Sequence, residues 1–334
     1  NVIPLDIPAP ELETTRRIWL YLPPDYATSQ QSYPVIYMHD AQNLFDRAMS
    51  FSGEWQVDEY LNQEFEAERA ATIVVGIENG GANRINELTS WPNAQYGGGQ
   101  GSRYADFVVN TLKPYIDANY RTRSEREYTA VMGSSLGGLM SMYMGMKHGA
   151  TFGKVGVLSP SFWWSEDIYK QVQRLGKQMD TRFYFVASTT ESQSMVPDMR
   201  RMYNTLLEVG FSEEELRFKA DDDGQHSEWY WAREFPAAHD WLLDDLPAAV
   251  TDTEQGEWIR IAPNPATNRV YVEIEDTLDN GEVYIYSPTG QLVERQPLTS
   301  DNSIDVSHLK NGDYLILITN NCLPVANQRL VVRR

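Results

Sequence analysis

A serine between glycines is the residue whose type and spacing most clearly predict chemistry. The segment Gly133-Ser-Ser-Leu-Gly137 has the pattern Gly-x-Ser-x-Gly, centred on Ser135. A short strand-like run precedes it, and a long apolar run typical of a helix follows it. A strand, a tight turn and a helix in this order form a nucleophile elbow, which pushes a serine hydroxyl out above a sheet. A serine nucleophile also needs a base, an orienting acid and an oxyanion hole from elsewhere in the chain.

Chain order selects the base among the five histidines. His39 precedes the elbow, and His308 lies in the C-terminal part of the chain. His148 ends the helix predicted after the elbow, and His239 lies in the middle of another predicted helix. His226 follows the last strand of the first domain in a loop just before a helix. Because the order expected on this type of sheet is serine, acid, histidine, we predict that His226 is the base.

The acid is expected after the strand-like run Arg182–Ala187, and two carboxylates are candidates. Glu191 lies in the loop directly after this strand and is the predicted acid. Asp198 lies in the first turn of the next predicted helix and is the alternative. A carboxylate at that position also stabilises a helix N-terminus, which would explain Asp198 without catalysis.

The oxyanion hole requires two backbone N–H groups aimed at the developing negative charge. Leu136, directly after the nucleophile, is predicted to supply one. The loop after the strand-like run 34–38 is predicted to supply the other from Gln42, with Ala41 as the alternative. In the same loop His39 and Asp40 are expected to form hydrogen bonds that shape it, and Asp40 is also a candidate for substrate contact.

The elements that must position these residues alternate between strand and helix from about residue 16 to 245. This alternation predicts an α/β fold, with a mostly parallel sheet covered by helices on both faces, over residues 1–247. Ligands of such sheets bind beyond the C-terminal strand ends. Trp163 and Trp164 follow a strand at that edge and are candidates for substrate contact, with plain packing as the alternative.

The pattern changes after a polar, acidic stretch at 248–257, which we interpret as a linker. Short alternating strands separated by Gly, Asn and Pro turns then recur through residues 258–334. This spacing predicts a small antiparallel β-sandwich.

Composition restricts the partners. The formal net charge is −19, and acidic residues are in excess both before and after residue 250. This argues against nucleic acid or an anionic membrane as a partner. A single cysteine, Cys322, excludes an intrachain disulfide and a cysteine-rich metal site. No run has the length of a membrane span, and the start at Asn1 is what we expect of a processed or trimmed N-terminus.

Four segments together resemble the putative-esterase (esterase D-like) family of α/β-hydrolases, which includes feruloyl and acetyl-xylan esterases and siderophore esterases. They are His39-Asp-Ala-Gln-Asn-Leu-Phe-Asp46, Gly133-Ser-Ser-Leu-Gly-Gly138, Ser159-Pro-Ser-Phe-Trp163 and Gly224-Gln-His226. The resemblance covers about residues 12–246. It implies the α/β-hydrolase fold and no metal or other cofactor. It also implies Ser135, Glu191 and His226 as the triad, and amides of Gln42 and Leu136 as the oxyanion hole.

The sequence departs from this family at two positions. Ala41 and Ser188 stand where relatives usually carry glycine, and both residues could narrow the site. The segment Asn86-Glu-Leu-Thr-Ser-Trp91 is similar to a family loop, and Trp91 is a further candidate for substrate contact.

The C-terminal part, about 258–334, resembles the type IX secretion sorting domain of Bacteroidota. Ile261-Ala-Pro-Asn-Pro-Ala266, Val306-Ser-His-Leu-Lys-Asn-Gly-Asp-Tyr314 and the basic end Arg333-Arg334 carry the likeness. It implies recognition by the type IX secretion machinery and export to the cell surface or the medium. A carbohydrate-binding or stabilising sandwich is the alternative.

Together these patterns predict a secreted serine carboxyl-ester hydrolase that acts on small-molecule or polysaccharide-linked acyl or aryl esters. The alternatives are a siderophore trilactone esterase, an acyltransferase with the same triad, and a non-catalytic surface binding protein.

Overall fold

The computed structural model describes residues 1–50, 52–69, 71–243, 259–274, 281–287, 292–299, 301–320 and 323–334. The chain divides into two compact units, Asn1–Thr251 and Asp252–Arg334. The predicted linker at 248–257 lies outside the described residues. Among the helices of the described ranges, none combines the length and the apolar composition needed to cross a membrane.

The first unit is built on one eight-stranded sheet with the order β1-β2-β4-β3-β5-β6-β7-β8. The β1–β2 and β2–β4 pairs are antiparallel, and the remaining pairs from β4 to β8 are parallel. The strands are β1 (Val2–Ala9), β2 (Thr14–Tyr21), β3 (Val35–His39), β4 (Ile73–Ile77), β5 (Thr129–Ser134), β6 (Lys154–Leu158), β7 (Arg182–Ser188) and β8 (Leu216–Asp221).

Helices connect these strands. They are α1 (Val57–Glu66), α2 (Arg84–Glu87), α3 (Gly101–Phe107), α4 (Lys113–Asn119), α5 (Leu136–Lys147), α6 (Asp167–Leu175), α7 (Met195–Glu208) and α8 (Glu228–Leu243). A π-helical turn at Val108–Leu112 joins α3 to α4. The predicted α/β fold with a mostly parallel sheet is confirmed.

Strand β1 lies before residue 16, outside the alternation of strands and helices that the sequence predicts. It carries Pro4 and Pro8, which weaken any strand signal because proline cannot donate a ladder hydrogen bond. It lies at the edge of the sheet, where such residues are tolerated.

The core lies on both faces of the sheet, as alternation along β5 illustrates. Val131 belongs to the apolar cluster on one face, whereas Ala130 and Met132 belong to the cluster on the other. All six residues of β5 are buried. Burial on both faces explains why the central strands read as continuous apolar runs, and it leaves the ends of the strands as the places for polar function.

The C-terminal edge of the sheet brings the candidate residues together. Five neighbouring strands, in the spatial order β3-β5-β6-β7-β8, are followed in turn by Gln42, Ser135, Ser159, Glu191 and His226. Residues that are up to 184 positions apart in the sequence, from Gln42 to His226, therefore meet along one edge.

The second unit consists of a three-stranded sheet, β13-β10-β9, and a four-stranded sheet, β12-β11-β14-β15. Both are antiparallel. The strands are β9 (Ile259–Ala262), β10 (Arg269–Ile274), β11 (Gly281–Tyr286), β12 (Leu292–Pro297), β13 (Ser303–Asp305), β14 (Gly312–Asn320) and β15 (Leu323–Val332). Val270 and Ile304 of one sheet share a core with Ile285 and Ile316 of the other. The predicted antiparallel strands are present.

Candidate active site

Ser135 occupies a strained turn between β5 and α5. Its φ and ψ are 57° and −120°, outside the regions that non-glycine residues favour. Such a conformation costs on the order of 1–3 kcal/mol and persists only where the surroundings fix it. The Ser135 amide donates to the Leu158 carbonyl (3.0 Å), and the Ser135 carbonyl accepts from the Ser161 amide (3.0 Å). Hydrogen bonds to the neighbouring strand end thus hold the elbow.

Close neighbouring atoms leave no room for a side chain at the glycines of the elbow. A Cβ on Gly133 would lie 2.8 Å from His39 Cδ2, and one on Gly138 would lie 2.8 Å from the Leu158 carbonyl oxygen. A Cβ on Gly137 would lie 3.2 Å from His39 Cβ. Side chains at these positions would displace the end of β3 or the end of β6.

A continuous chain of hydrogen bonds joins Ser135, His226 and Glu191. Ser135 Oγ lies 2.9 Å from His226 Nε2, and His226 Nδ1 lies 2.7 Å from Glu191 Oε2. The His226 side chain is 38% exposed, whereas the Glu191 side chain is 0% exposed. The imidazole is therefore open to a substrate, while the carboxylate that orients it is shielded from water.

The second oxygen of Glu191 is also paired. Glu191 Oε1 accepts from the Ser188 amide (2.7 Å) and from Ser159 Oγ (2.9 Å). Ser159 Oγ in turn accepts from Trp231 Nε1 (2.9 Å), and the Trp231 ring packs edge-on against His226. The carboxylate can turn away from His226 only by breaking these bonds.

Asp198, the alternative acid, lies in the first turn of α7. Its carbonyl accepts from the hydroxyl of Tyr169 (3.1 Å), and its amide donates to the carbonyl of Ser194 (2.8 Å). The geometry brings Glu191, and not Asp198, into the hydrogen-bonded set with His226.

The candidate oxyanion donors lie in two segments that touch. Gln42 belongs to a short 3₁₀ turn, Ala41–Asn43, and Leu136 is the first residue of α5. Asp40 Oδ2 lies 3.5 Å from the position of a Cβ on Gly137, so the β3 loop packs on the start of α5. Within the described residues, neither the Gln42 nor the Leu136 amide donates to a protein acceptor. Both amides are therefore available to a ligand.

The Gln42 side chain fixes this turn. Its amide group exchanges two hydrogen bonds, each 3.2 Å, with the backbone of Asn79 beyond β4. The Asn79 side chain donates to Asp40 Oδ1 (2.6 Å). Two strand ends are thereby tied together beneath the candidate oxyanion site.

Asp40 is occupied by protein partners. Arg84 donates to both of its carboxylate oxygens, at 2.6 and 2.9 Å. Burial opposes ionisation of Asp40, but the bonds from Arg84 and Asn79 outweigh it and lower the pKa of the carboxyl. Asp40 also adopts a left-handed conformation, with φ 59°, that turns the chain into the Gln42 loop. These contacts make it a residue that shapes the loop.

His39 is enclosed next to the elbow. It is 2% exposed, and its Nδ1 lies 2.8 Å from the hydroxyl of Tyr104. Burial lowers its pKa to about 4, so the imidazole is neutral at pH 7. His39 occupies the space next to Gly133 and Gly137, where a Cβ on either residue would lie.

The three candidate tryptophans lie in different environments. Trp163 is 51% exposed, stacks edge-on with the exposed Tyr96, and lies two residues from Ser161, whose Oγ is 3.3 Å from Ser135 Oγ. Trp164 is buried and donates to the carbonyl of Trp91 (2.8 Å). Trp163 is therefore an exposed aromatic residue close in sequence to the triad, and Trp164 supports the loop that carries Trp91.

Two serines around Glu191 have roles that the sequence analysis did not assign. Ser188 was noted only as a departure that could narrow the site. Its Oγ accepts from the Gly224 amide (3.0 Å) and donates to the Asp221 carbonyl (3.1 Å), and so ties the acid loop to the loop of His226. Ser159 holds Glu191 directly. Their partners are distant in sequence, so no local signal could have revealed them.

The expected absence of a cofactor remains a prediction. Among the described residues, Glu54, Asp58 and Glu59 bring carboxylate oxygens within 4.8 Å of one another. Burial, and then repulsion from Glu59, raises the pKa of Asp58 to about 6. Acidic groups of this kind are common without a metal ion.

The comparisons with known proteins bear on this geometry. A family model described as "Putative esterase" matches residues 9–242, well over half of the chain. The chain belongs to this family. Membership in this family supports a hydrolase. The esterase-family chain is also 29% identical over 242 residues to the uncharacterised protein YbbA of Bacillus subtilis, covering 68% of this chain and 92% of that one.

Solved structures share the fold of this esterase-family chain. The enterobactin esterase FES of Shigella flexneri is 19% identical, with a TM-score of 0.62 over 74% of this chain. The alignment covers 60% of the Shigella chain, so this protein spans less than two thirds of its length. A ferulic acid esterase is 16% identical, with a TM-score of 0.53, over 72% of this chain and 97% of that one. These likenesses confirm the α/β-hydrolase fold.

The C-terminal unit of this esterase-family protein also matches a family model. Residues 260–333 match the secretion system C-terminal sorting domain, as the resemblance to type IX sorting domains predicted. The protein is secreted or carried on the cell surface, which confirms the predicted localisation.

Proposed function

We propose that this protein is a secreted serine carboxyl-ester hydrolase with a Ser135–His226–Glu191 triad. The observation that carries the proposal is the chain of two hydrogen bonds, 2.9 and 2.7 Å, from Ser135 Oγ through the imidazole to Glu191. Both distances lie within the range that proton transfer and orientation require.

In the first half of the proposed reaction, His226 Nε2 takes the proton of Ser135 Oγ as the oxygen attacks the ester carbonyl. The tetrahedral oxyanion accepts hydrogen bonds from the amides of Gln42 and Leu136. His226 then gives the proton to the leaving alcohol, and an acyl-enzyme on Ser135 results.

In the second half, His226 takes a proton from water, which attacks the acyl carbonyl, and the acid leaves as the proton returns to Ser135 Oγ. Glu191 stabilises the imidazolium that forms in each half. Its shielded carboxylate, held by Ser159 and Ser188, keeps the imidazole in one orientation without itself taking the proton.

For the substrate we propose a carbohydrate-linked acyl or aryl ester, of the feruloyl or acetyl type. Two observations support this class. The sorting domain sends the enzyme out of the cell, where polymeric esters are found. Trp163 packs on Tyr96 as exposed aromatic surface, and it lies two residues from Ser161, whose hydroxyl is 3.3 Å from that of Ser135. Sugar and aryl rings both pack favourably on such surface.

A trilactone siderophore is the second candidate, because the fold is shared with an enterobactin esterase. An acyltransferase would use the same triad but prefer an alcohol to water as the acceptor.

A panel of esters tests the proposal. p-Nitrophenyl acetate, methyl ferulate, acetylated xylan and a ferric trilactone are offered to the wild type and to Ser135→Ala, and release of acid is measured. We expect turnover that is lost in Ser135→Ala and highest on the sugar or aryl esters. Equal rates for the wild type and Ser135→Ala would contradict the proposal that Ser135 is the nucleophile of an esterase. Preference for the trilactone would replace the proposed substrate. In a parallel assay with an added alcohol, acyl transfer to the alcohol in excess of acid release would replace hydrolysis as the reaction.

A further inference from the structure

Glu228 is a buried carboxylate near the triad that the proposed reaction does not use. It is the first residue of α8 and lies two residues after His226. It is 7% exposed, and a Cβ on Gly53 would lie only 3.2 Å from its own Cβ. A carboxylate is seldom buried unless it is paired, because the loss of water must be compensated. The partner of Glu228 therefore indicates what the residue is for.

That partner is the turn that carries the candidate oxyanion donor. Glu228 Oε1 accepts from Asn43 Nδ2 (3.0 Å), across 185 positions of the sequence. Asn43 directly follows Gln42 in the 3₁₀ turn Ala41–Asn43. One hydrogen bond thus joins the segment of the oxyanion donor to the helix that begins two residues after the base.

A second line of contacts joins the same two segments. The Asn43 carbonyl accepts from the Trp55 amide (2.8 Å), and the Trp55 ring packs against Trp231 with ring centroids 5.9 Å apart. The Trp231 ring in turn packs against the ring of His226, with centroids 5.1 Å apart. The turn of Asn43 and the base are therefore in contact through packed side chains as well as through Glu228.

The charges around Glu228 come from both segments. Burial raises the pKa of its carboxyl, and a hydrogen bond from its own backbone amide opposes this shift. Among the charged neighbours, Asp40 raises the pKa further, whereas His226 and Arg84 lower it. The carboxylate thus interacts with the loop that leads into Gln42 and also with the base.

We propose that Glu228 is a positioning residue for the oxyanion hole, an inference that rests on the proposed esterase function. Its carboxylate holds Asn43, and so fixes the Gln42 amide relative to the imidazole of His226. Donors of an oxyanion hole stabilise the transition state because they are aimed before the reaction begins. A displacement of about 1 Å can lower a rate about 10²-fold. Asn79 holds the Gln42 side chain, and Glu228 adds the support of the next residue in the turn.

Kinetics on variants of the full chain test this role. Glu228→Ala and Asn43→Ala each remove one partner of the hydrogen bond. Each is expected to lower kcat for p-nitrophenyl acetate about 10–100-fold, with KM within about threefold. The double variant should fall no further than the slower single variant, because both changes break the same bond. Glu228→Gln keeps an oxygen that can accept from Asn43, and its kcat should stay within about threefold of the wild type.

An inhibitor and a matched control separate positioning from a purely structural role. Phenylboronic acid forms a tetrahedral adduct with a serine hydroxyl, so its inhibition constant should rise in Glu228→Ala by about the factor by which kcat falls. Asp167→Ala is the control, because Asp167 is likewise the first residue of its helix, α6, where it pairs with Lys170. It should leave kcat and the inhibition constant unchanged. Thermal unfolding shows whether each variant is folded.

Three results would overturn the proposal: an unchanged kcat in folded Glu228→Ala, losses in the two single variants that multiply in the double variant, and a loss in Glu228→Gln as large as that in Glu228→Ala. If Glu228→Ala did not fold, an unchanged kcat in Asn43→Ala would overturn it instead. All these results require a wild type whose turnover depends on Ser135. A wild type without such turnover would show that the esterase proposal itself fails, so the two failures are distinguishable.

Discussion

Two histidines adjoin the Ser135 elbow, and only one of them is placed for chemistry. His226 is partly exposed and lies between a hydroxyl and a shielded carboxylate, at 2.9 and 2.7 Å. His39 is buried and bonds to the hydroxyl of Tyr104, while the neighbouring Asp40 is occupied by Arg84. Both histidines lie at the C-terminal edge of the same sheet.

The contrast shows that environment, more than residue type, assigns the role. Burial lowers the pKa of His39 to about 4, so this imidazole resists taking a proton at pH 7. No substrate can reach it, since it fills the space between Gly133, Gly137 and Tyr104. His39 shapes the elbow, and His226 is the group that we propose to act on it.

The strongest test exchanges each histidine for glutamine. We expect His226→Gln to lower kcat/KM at least ~10⁴-fold with little change in Tm, because the base is lost from an exposed position. His39→Gln is expected to lower Tm while kcat/KM stays within about tenfold. Ester hydrolysis and thermal unfolding are measured on both variants. The contrast collapses if His39→Gln is the more inactive of the two.

The acid offers the next largest effect. Glu191→Gln keeps the shape of the side chain but removes its charge, so the imidazolium loses its stabilising partner. We expect kcat to fall by about 10³–10⁴. Asp198→Asn is the matched control and should leave kcat within about threefold. If the two results were exchanged, Asp198 would be the acid, and the hydrogen bonds of Glu191 would be structural.

The pH dependence of the free energy of unfolding tests whether burial lowers the pKa of His39. Its pKa is lower in the folded protein, about 4, than the ordinary value of 6.5, so the unfolded chain binds more protons between these values. The contribution of His39 to the free energy of unfolding is complete above pH 6.5. It is lost as the pH falls to 4, by about 3 kcal/mol in all.

Urea unfolding between pH 7 and pH 4 measures this contribution. The wild type should lose more stability over this range than His39→Gln, which has no titrating group at the position. If both proteins lost the same free energy of unfolding between pH 7 and pH 4, protonation of His39 would carry no free-energy penalty. Burial would then not distinguish His39 from His226.

The smallest expected effect concerns the aromatic rim of the proposed site. Trp163→Ala should raise KM for methyl ferulate about 2–10-fold, since one exposed aromatic contact contributes about 0.5–1.5 kcal/mol. The value of kcat should change little. Tyr271→Ala, an exposed aromatic residue of the second unit, is the control. An unchanged KM in Trp163→Ala would remove Trp163 from the substrate surface.

The sequence by itself determined the order of the central elements and which residues end the strands. Apolar runs fix the buried strands, and the glycines around Ser135 fix a turn that other residues would not allow. Chain order then selects His226, because a triad on a parallel sheet draws its members from successive strand ends. Edge strand β1 was not predicted from the sequence, because its prolines weaken the local signal of a strand.

Only the tertiary structure decided the contacts between these ends. In this structure Glu191, and not Asp198, is hydrogen-bonded to His226. The Ser188 amide and the Ser159 hydroxyl donate hydrogen bonds to the other oxygen of Glu191. The tertiary structure also packs the ring of Trp91 edge to face against Tyr143, with centroids 5.6 Å apart. The physical reason is that hydrogen bonds and burial depend on side chains that are far apart in sequence, whereas local patterns record only the elements that carry them.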